Sequence, residues 1–195
     1  MTVSNDLVKH LRQLTGSSIS LCKQVLEEAG GDMEKAMALL RKSADALASK
    51  KEGRTTGAGI VETYVHGNKK IGVLLEIRSE TDFVARNPEF QALAHDIALH
   101  IAGANPMYVS KDAVSAEARE EARRLFSEEA QNLGKTPEMT QKIIEGKLEA
   151  HFNDTSLLSQ PFIKDSNIIV EDLIKRSMAH FGEKIEVTRF ARFEV

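Results

Sequence analysis

The sequence is poor in the features of secreted and membrane proteins. Its 195 residues include one cysteine, Cys22, so no disulfide can form within the chain. No apolar run approaches the roughly 20 residues that cross a bilayer, and the first ten residues lack the apolar centre of a signal peptide. We therefore expect a cytoplasmic protein and exclude a disulfide scaffold.

Aromatic and basic residues are also scarce. The chain has eight Phe, two Tyr and no Trp, and its 26 Lys and Arg against 29 Asp and Glu give a net charge of −3. RNA-binding proteins stack bases on aromatic rings and neutralise phosphates with basic side chains. An RNA-binding translation protein is therefore an alternative that a salt-dependent RNA shift would have to support, and we expect no direct nucleic-acid or membrane partner.

Residues that carry catalysis or hold metals show no recognisable arrangement. The six histidines lack paired metal spacing, and His95 and His100, five residues apart, fall on different sides of a helix. Gly57-Ala58-Gly59 precedes a strand, so it lacks the strand-to-helix context of a dinucleotide-binding loop. Cys22 lies on an apolar helical stripe and is predicted to be a buried structural thiol. We predict no cofactor, no metal and no enzymatic activity, with a hydrolase or transferase as an alternative.

The first 42 residues contain three short helical patterns. Their end signals are Ser4 or Asn5, Thr15-Gly16, Ser18 or Ser20, Gly30-Gly31 and Asp32. Helices of about ten residues must bury their apolar faces against one another, so they predict a small bundle. Its expected core is Leu7, Leu11, Leu14, Leu21, Cys22, Val25, Leu26, Ala29, Met33, Ala36, Met37 and Leu40.

A connector at residues 43–59 follows the bundle. Its first half is predicted to continue as helix through residue 51, and its second half is rich in Gly and Thr. Lys50, Lys51 and Arg54 are interpreted as a solvated face of this connector.

Alternating β-branched residues then predict strands. Residues 60–66 and 69–78 are separated by Gly67-Asn68, a dipeptide typical of a two-residue hairpin loop. The alternating run at 185–195 predicts a third antiparallel strand. Because one face of the second strand is uniformly apolar, the sheet should cover a core on that side.

Four helical patterns separate the second and third strands. Asn87-Pro88 and Thr136-Pro137 each place an N-cap before a proline at the first helical position. A more charged helix lies between them, and the last helix stops at Gly182. The predicted class is α+β: a three-helix bundle with its connector at residues 1–55 and, at 56–195, a core domain with a small antiparallel sheet packed by helices.

Residues 79–87 join the second strand to the next helix. On the residue pattern alone they have a structural interpretation, in which Ser79 and Asp82 form a capping box and Phe83 staples the helix entry to the core.

This segment is also part of a resemblance to the bacterial elongation factor Ts family that spans nearly the whole chain. Residues 81–87, with sequence TDFVARN, carry its most specific motif. The other matching pieces are Leu11-Arg12, Thr15-Gly16, Cys22-Lys23, Gly31-Asp32, Leu40-Arg41-Lys42, Gln160-Pro161-Phe162, Arg189-Phe190 and residues 192–195. The chain departs from the family at Gly16-Ser17-Ser18-Ile19, where Gly-Ala-Gly-Met is usual, and at Leu21, where Asp is usual.

The resemblance implies guanine-nucleotide exchange on elongation factor Tu. That partner, a GTPase, holds GDP through a phosphate loop and a magnesium ion. Thr81, Asp82, Phe83 and Val84 are implied to dislodge the magnesium. Our hypothesis is that Phe83 enters a pocket beside the partner's switch region as a wedge, while Asp82 orients the loop.

The N-terminal bundle resembles a ubiquitin-associated three-helix module. In the family it grips the partner's nucleotide domain, which implies contacts from Leu11, Arg12, Thr15, Gly16 and Ile19. The structural alternative is that these residues only turn the chain. A second alternative for the whole protein is a plain interaction module that binds peptides or ubiquitin-like partners.

The resemblance to the short form of the family also implies a homodimer that associates through the core sheet. The C-terminal strand is the expected surface. Simple alternation puts Ile185, Val187 and Phe193 on one of its faces and Phe190 on the other.

Overall fold

The apolar patterns of the sequence pack into three clusters in the computed structural model, which describes residues 3–131 and 134–195. One cluster lies inside the N-terminal bundle, the largest lies beneath a three-stranded sheet, and the third joins two helices of the second half. Helices and small antiparallel sheets occur together, which confirms the α+β class. Within the described ranges, no helix has both the length and the apolar character needed to span a bilayer.

The bundle is built from α1 (Asn5–Thr15), α2 (Ile19–Glu28) and α3 (Met33–Lys51). The side chains of Ser4, Ser18 and Asp32 each accept a hydrogen bond from the backbone N–H three residues ahead, at 3.1–3.3 Å. These bonds satisfy amide donors that the first turn leaves free, which confirms the predicted helix starts. The buried members of the cluster are Val8, Leu11, Cys22, Val25, Leu26, Ala36 and Leu40.

Two predicted core residues of the bundle are exposed. Leu14 and Met37 line a cleft of about 540 Å³ between the bundle and the core domain. Their periodicity is helical, but the cleft keeps both side chains accessible to solvent on the side of the bundle that faces the core domain. Val8, which was not among the predicted core residues, is buried in the bundle instead.

Helix α3 leaves the bundle and packs along the core domain. Ala48 packs against the largest cluster, and Lys51, predicted to be solvated, is only 5% exposed. The Lys51 ammonium donates a hydrogen bond to the Gly182 carbonyl, which satisfies the buried charge. Because α3 contacts both parts, the division at residues 55 and 56 stays a prediction.

The main sheet consists of β1 (Ala58–Val65), β2 (Ile71–Ser79) and β5 (Ile185–Glu194), in the order β1-β2-β5 and antiparallel throughout. The predicted two-residue hairpin loop is wrong. β1 ends at Val65 and β2 begins only at Ile71, and the turn between them is closed by a bond from the Lys69 N–H to the His66 carbonyl at 2.8 Å. Lys69 takes the left-handed conformation at φ 57°, and residues 66–70 together form the connection between the two strands.

A β-bulge changes the faces of β5. Ile77 pairs with Val187, but Glu76 pairs with Arg189, so Thr188 is an extra residue on β5. The extra residue reverses the alternation beyond it. The predicted faces are therefore wrong: Phe190 lies opposite Leu75 on the core side, and Phe193 lies opposite Gly72 on the outer side.

In the described part of the chain, the helices that contact the sheet lie on its core side. They are α4 (Asp82–Ala85), α5 (Pro88–Ala104) and α8 (Val170–Phe181). Helices α6 (Ala116–Gln131) and α7 (Pro137–Thr155) pack on each other around the third cluster. A second hairpin, β3 (Pro161–Phe162) with β4 (Asp165–Ile169), was not predicted from the sequence.

His100 attaches this second hairpin to α5. Its Nδ1 accepts the Ile163 N–H at 3.2 Å, so Nε2 must carry the proton and donate to the Gln160 side-chain oxygen at 3.0 Å. The ring is fully buried, and burial lowers the pKa of His100 because the charged form is disfavoured there.

Acidification is therefore expected to destabilise the fold through His100. Below the unfolded-state pKa of about 6.5, the unfolded chain binds a proton that the folded chain excludes, at a cost of up to about 1.4 kcal/mol per pH unit. Urea unfolding between pH 7.5 and 5.5 measures the effect. His100→Gln should show a smaller decrease than wild type, and the exposed control His10→Gln should match wild type. Equal slopes for all three would contradict the assignment.

Candidate functional site

The turn that follows β2 presents one aromatic ring to solvent. Residues 81–85, which we call the Phe83 turn, include the single-turn helix α4. Val84 and Ala85 are buried in the largest cluster, whereas Phe83 is 83% exposed. One side of this turn therefore anchors it to the core, and the other side projects the Phe83 ring into solvent.

The structural interpretation of this segment is wrong. Thr81, not Ser79, occupies the N-cap position of α4, and no side-chain capping bond is made there. The Ser79 hydroxyl instead donates to the Thr81 carbonyl at 3.0 Å. Since Phe83 is exposed, it does not staple the helix to the core.

Two glutamates hold the Phe83 turn in place. Glu183 accepts two hydrogen bonds from Thr81, one from its N–H at 3.0 Å and one from its hydroxyl at 2.6 Å. Glu80 accepts the Lys184 N–H at 2.6 Å and lies 3.2 Å from the Arg54 guanidinium. The Lys184 N–H, with a smaller contribution from Arg54, lowers the pKa of Glu80, so its carboxylate stays ionised at neutral pH.

The surroundings of the ring are polar and open. Phe83 borders a shallow depression together with Asp82, Arg86, Asn87 and Pro88. Asn87 caps α5 by accepting the Glu89 N–H at 2.8 Å. This arrangement combines an apolar centre with charged and amide groups around it, which is the usual composition of a protein contact site.

The N-terminal residues implicated by the resemblance divide into two groups. Arg12, Gly16 and Ile19 line one cleft between α1 and the helices α5 and α8. Leu11 is completely buried, and Thr15 uses its hydroxyl to donate to the Leu11 carbonyl at 2.7 Å. Leu11 and Thr15 therefore shape the end of α1, while Arg12 and Ile19 are exposed.

The N-terminal cleft is linked through polar surface groups to the first turn of α5, which follows the Phe83 turn. Gly16 ends α1 in the left-handed conformation, and its carbonyl lies 3.0 Å from Nδ1 of His180. Nε2 of the same ring lies 2.7 Å from the carboxylate of Glu89, in the first turn of α5. The sequence carried no signal for His180 or Glu183 beyond the helix stop at Gly182.

Among residues 3–131 and 134–195, no group of three or more His, Cys, Asp and Glu side chains could hold a metal ion. Cys22 is buried, which confirms its predicted placement, and burial raises the pKa of its thiol. A buried protonated thiol is a poor nucleophile.

The outer face of the main sheet carries exposed apolar side chains. Val65, Gly72 and Phe193 occupy one row across the three strands, and Leu74 lies in the adjoining part of β2. Val65 and Phe193 are each 66% exposed. At the far end of this face, Glu76 pairs with Arg78 and Arg189, which lower the pKa of the carboxylate.

Comparison with known sequences places these features in one family. The profile described as Elongation factor TS matches residues 34–195. The chain is 48% identical to Elongation factor Ts of Thermotoga petrophila over 195 residues, which are 100% of this chain and 97% of the relative. It is 45% identical to that of Fervidobacterium nodosum over 195 residues (100% and 99%), and 47% identical to that of Carboxydothermus hydrogenoformans over 193 residues (99% and 89%). The chain therefore belongs to the elongation factor Ts family of translation elongation factors.

Proposed function

We propose that this chain is the guanine-nucleotide exchange factor of elongation factor Tu and that it acts in the cytoplasm without catalysing a covalent step. The observation that carries the proposal is the Phe83 ring, which is 83% exposed at the tip of a turn fixed from both sides. An aromatic side chain held in solvent has lost the apolar stabilisation it would gain in a core. It regains that stabilisation when a partner covers it.

The mechanism follows from differential binding. Elongation factor Tu holds GDP and magnesium through loops that must keep their relative positions for these contacts to form. A ring inserted beside those loops favours a conformation in which the magnesium and phosphate contacts are broken. Because coupling between two ligands is reciprocal, an incoming nucleotide weakens the grip of the factor by the same amount, which releases it.

Each residue of the site has a distinct part in this proposal. Phe83 is the inserted group, and Asp82 beside it orients the turn against the partner's polar groups. Thr81 and Val84 fix the turn through Glu183 and the core, respectively. The residues that depart from the family, Ser17, Ser18, Ile19 and Leu21, lie outside this turn, so they leave the insertion itself unaffected.

The cleft with Arg12, Gly16 and Ile19 is proposed to grip the partner's nucleotide domain. It presents an exposed apolar side chain and an exposed guanidinium on adjoining helix ends, which supports binding more than a purely structural turn.

Release of a fluorescent GDP analogue from purified bacterial elongation factor Tu tests the function. We expect the full chain to accelerate release in proportion to its concentration until the partner is saturated. If a complex forms but release keeps its spontaneous rate, the chain is an interaction module and the exchange proposal fails. Capture of a ubiquitin-like protein in a parallel binding assay would favour that alternative.

We further propose that two copies associate through the outer face of the main sheet. Val65, Leu74 and Phe193 form an apolar area that no helix of the described chain covers. Such areas on a sheet are typical of subunit interfaces. The bulge at Thr188 supports this assignment, because it places Phe193 on the outer face of the sheet, in the same row as Val65.

Phe193→Glu is expected to abolish the dimer, because a carboxylate buried against an apolar face loses its hydration. Light scattering coupled to size exclusion should give twice 21.6 kDa for wild type and 21.6 kDa for the variant. Leu125→Glu, at an exposed apolar position of α6, is the matched control and should remain dimeric. A monomeric wild type at micromolar concentration would contradict the proposal.

A further inference from the structure

The end of α8 is bonded to both segments proposed to contact the partner. His180 and Gly16 are 164 positions apart in the sequence, and Glu183 and Thr81 are 102 positions apart. Residues 180–184, which we call the α8 clasp, bring these distant segments onto one short stretch of chain.

The bond pattern at Glu183 leaves Thr81 a single arrangement. An ionised carboxylate only accepts hydrogen bonds, so both the N–H and the hydroxyl of Thr81 must donate to it. The Thr81 carbonyl is meanwhile occupied by the Ala85 N–H at 3.2 Å, which closes the turn that carries Phe83. Glu183 therefore fixes the residue from which α4 starts.

His180 makes the corresponding connection to the N-terminal bundle. Its two ring nitrogens face the Gly16 carbonyl and the Glu89 carboxylate. Glu89 belongs to the first turn of α5, immediately after the Phe83 turn. The imidazole thus links the end of α1 to the element that follows Phe83.

The α8 clasp is itself held by the end of α3. The buried Lys51 ammonium donates to the Gly182 carbonyl. The Lys184 ammonium donates to the carbonyls of Glu52 at 3.0 Å and Arg54 at 3.1 Å. The clasp is therefore hydrogen-bonded along most of its length. It can hold the end of α1 and the Phe83 turn at a fixed separation.

We infer that Glu183 is a positioning residue for nucleotide exchange: through Thr81 it sets the place of the Phe83 ring relative to the N-terminal cleft, which His180 ties to the same clasp. This inference rests on the proposed exchange function. Its physical basis is that two contacts on one rigid body bind a partner together only when their separation matches the partner's surface.

A double-mutant cycle in the GDP-release assay tests this inference. Glu183→Ala is expected to slow release at saturating factor about tenfold, because two charge-assisted bonds to the turn are lost. In a Phe83→Ala background the same change should cost less than about twofold, since there is no ring left to position. Glu171→Ala, in the first turn of α8 at the end away from the clasp and paired with Lys175, is the matched control and should stay within twofold of wild type.

The cycle separates positioning from general destabilisation. Thermal unfolding of each variant is measured alongside, and Thr81→Val, which removes only the hydroxyl donor, should show the same non-additivity if Glu183→Ala does not fold. If Glu183→Ala and Phe83→Ala reduce the rate of GDP release by factors that simply multiply in the double variant, the inference is overturned. If the wild-type chain does not accelerate GDP release from elongation factor Tu, the proposed function is overturned instead, so the two failures are distinguishable.

Discussion

Replacing Phe83 by alanine is expected to reduce the stimulated rate of GDP release from elongation factor Tu by about 100-fold. A buried aromatic anchor at an interface typically contributes 2–4 kcal/mol, and each 1.4 kcal/mol corresponds to a factor of ten. Because the ring is 83% exposed, its removal costs the free protein little, and the free energy of unfolding should change by less than about 0.5 kcal/mol. Stopped-flow fluorescence at saturating factor measures the rate.

The matched control is Met139→Ala, which removes another exposed apolar side chain from α7, far along the chain from the Phe83 turn. It should leave release within twofold of wild type. Near-normal stimulation by Phe83→Ala, with the partner still bound, would mean that the ring is not the inserted group. An unchanged rate together with weaker binding would assign Phe83 to affinity alone.

Gly59→Ala is expected to cause the largest loss of stability, about 3 kcal/mol or more. A Cβ at this position would lie 2.4 Å from the Ile77 carbonyl oxygen and 2.9 Å from the Arg78 Cα, both on the neighbouring strand. Backbone atoms of a central strand cannot move aside without breaking the β1–β2 ladder. The φ of Gly59, +156°, is also one that side-chain-bearing residues rarely adopt.

Gly57→Ala provides the control two residues earlier, where an added Cβ meets nothing within 4 Å. Urea unfolding should give a midpoint close to wild type for Gly57→Ala and a much lower one for Gly59→Ala. If both variants unfolded together, the close strand approach at Gly59 would not be limiting. The two variants also distinguish the roles of the two glycines in Gly57-Ala58-Gly59, which the sequence pattern alone does not separate.

Local signals predicted the secondary structure well where the chain itself satisfies them. Ser4, Ser18, Asp32, Asn87 and Thr136 all cap helices as expected, because a capping bond involves only residues a few positions apart. The apolar face of α5 is buried in full, since its periodicity is long and uninterrupted. The third strand also pairs as predicted.

Prediction failed where a distant partner decides the outcome. Lys51 is buried because the end of α8 happens to present a carbonyl to it. The short β3–β4 hairpin depends on His100 and Gln160, which come from separate elements. Alternation along β5 gave the wrong faces because the bulge at Thr188 has no local marker in the sequence.

The sequence by itself determined the family, the α+β class and the TDFVARN segment, since these depend on residue identity and on spacing along the chain. It left open whether Phe83 packs inwards or projects into solvent. Only the tertiary structure decided that, by burying Val84 and Ala85 and by bonding Thr81 to Glu183 across 102 positions. The physical reason is that exposure and anchoring arise from contacts between segments far apart in the chain, whereas a sequence pattern reports only on neighbours.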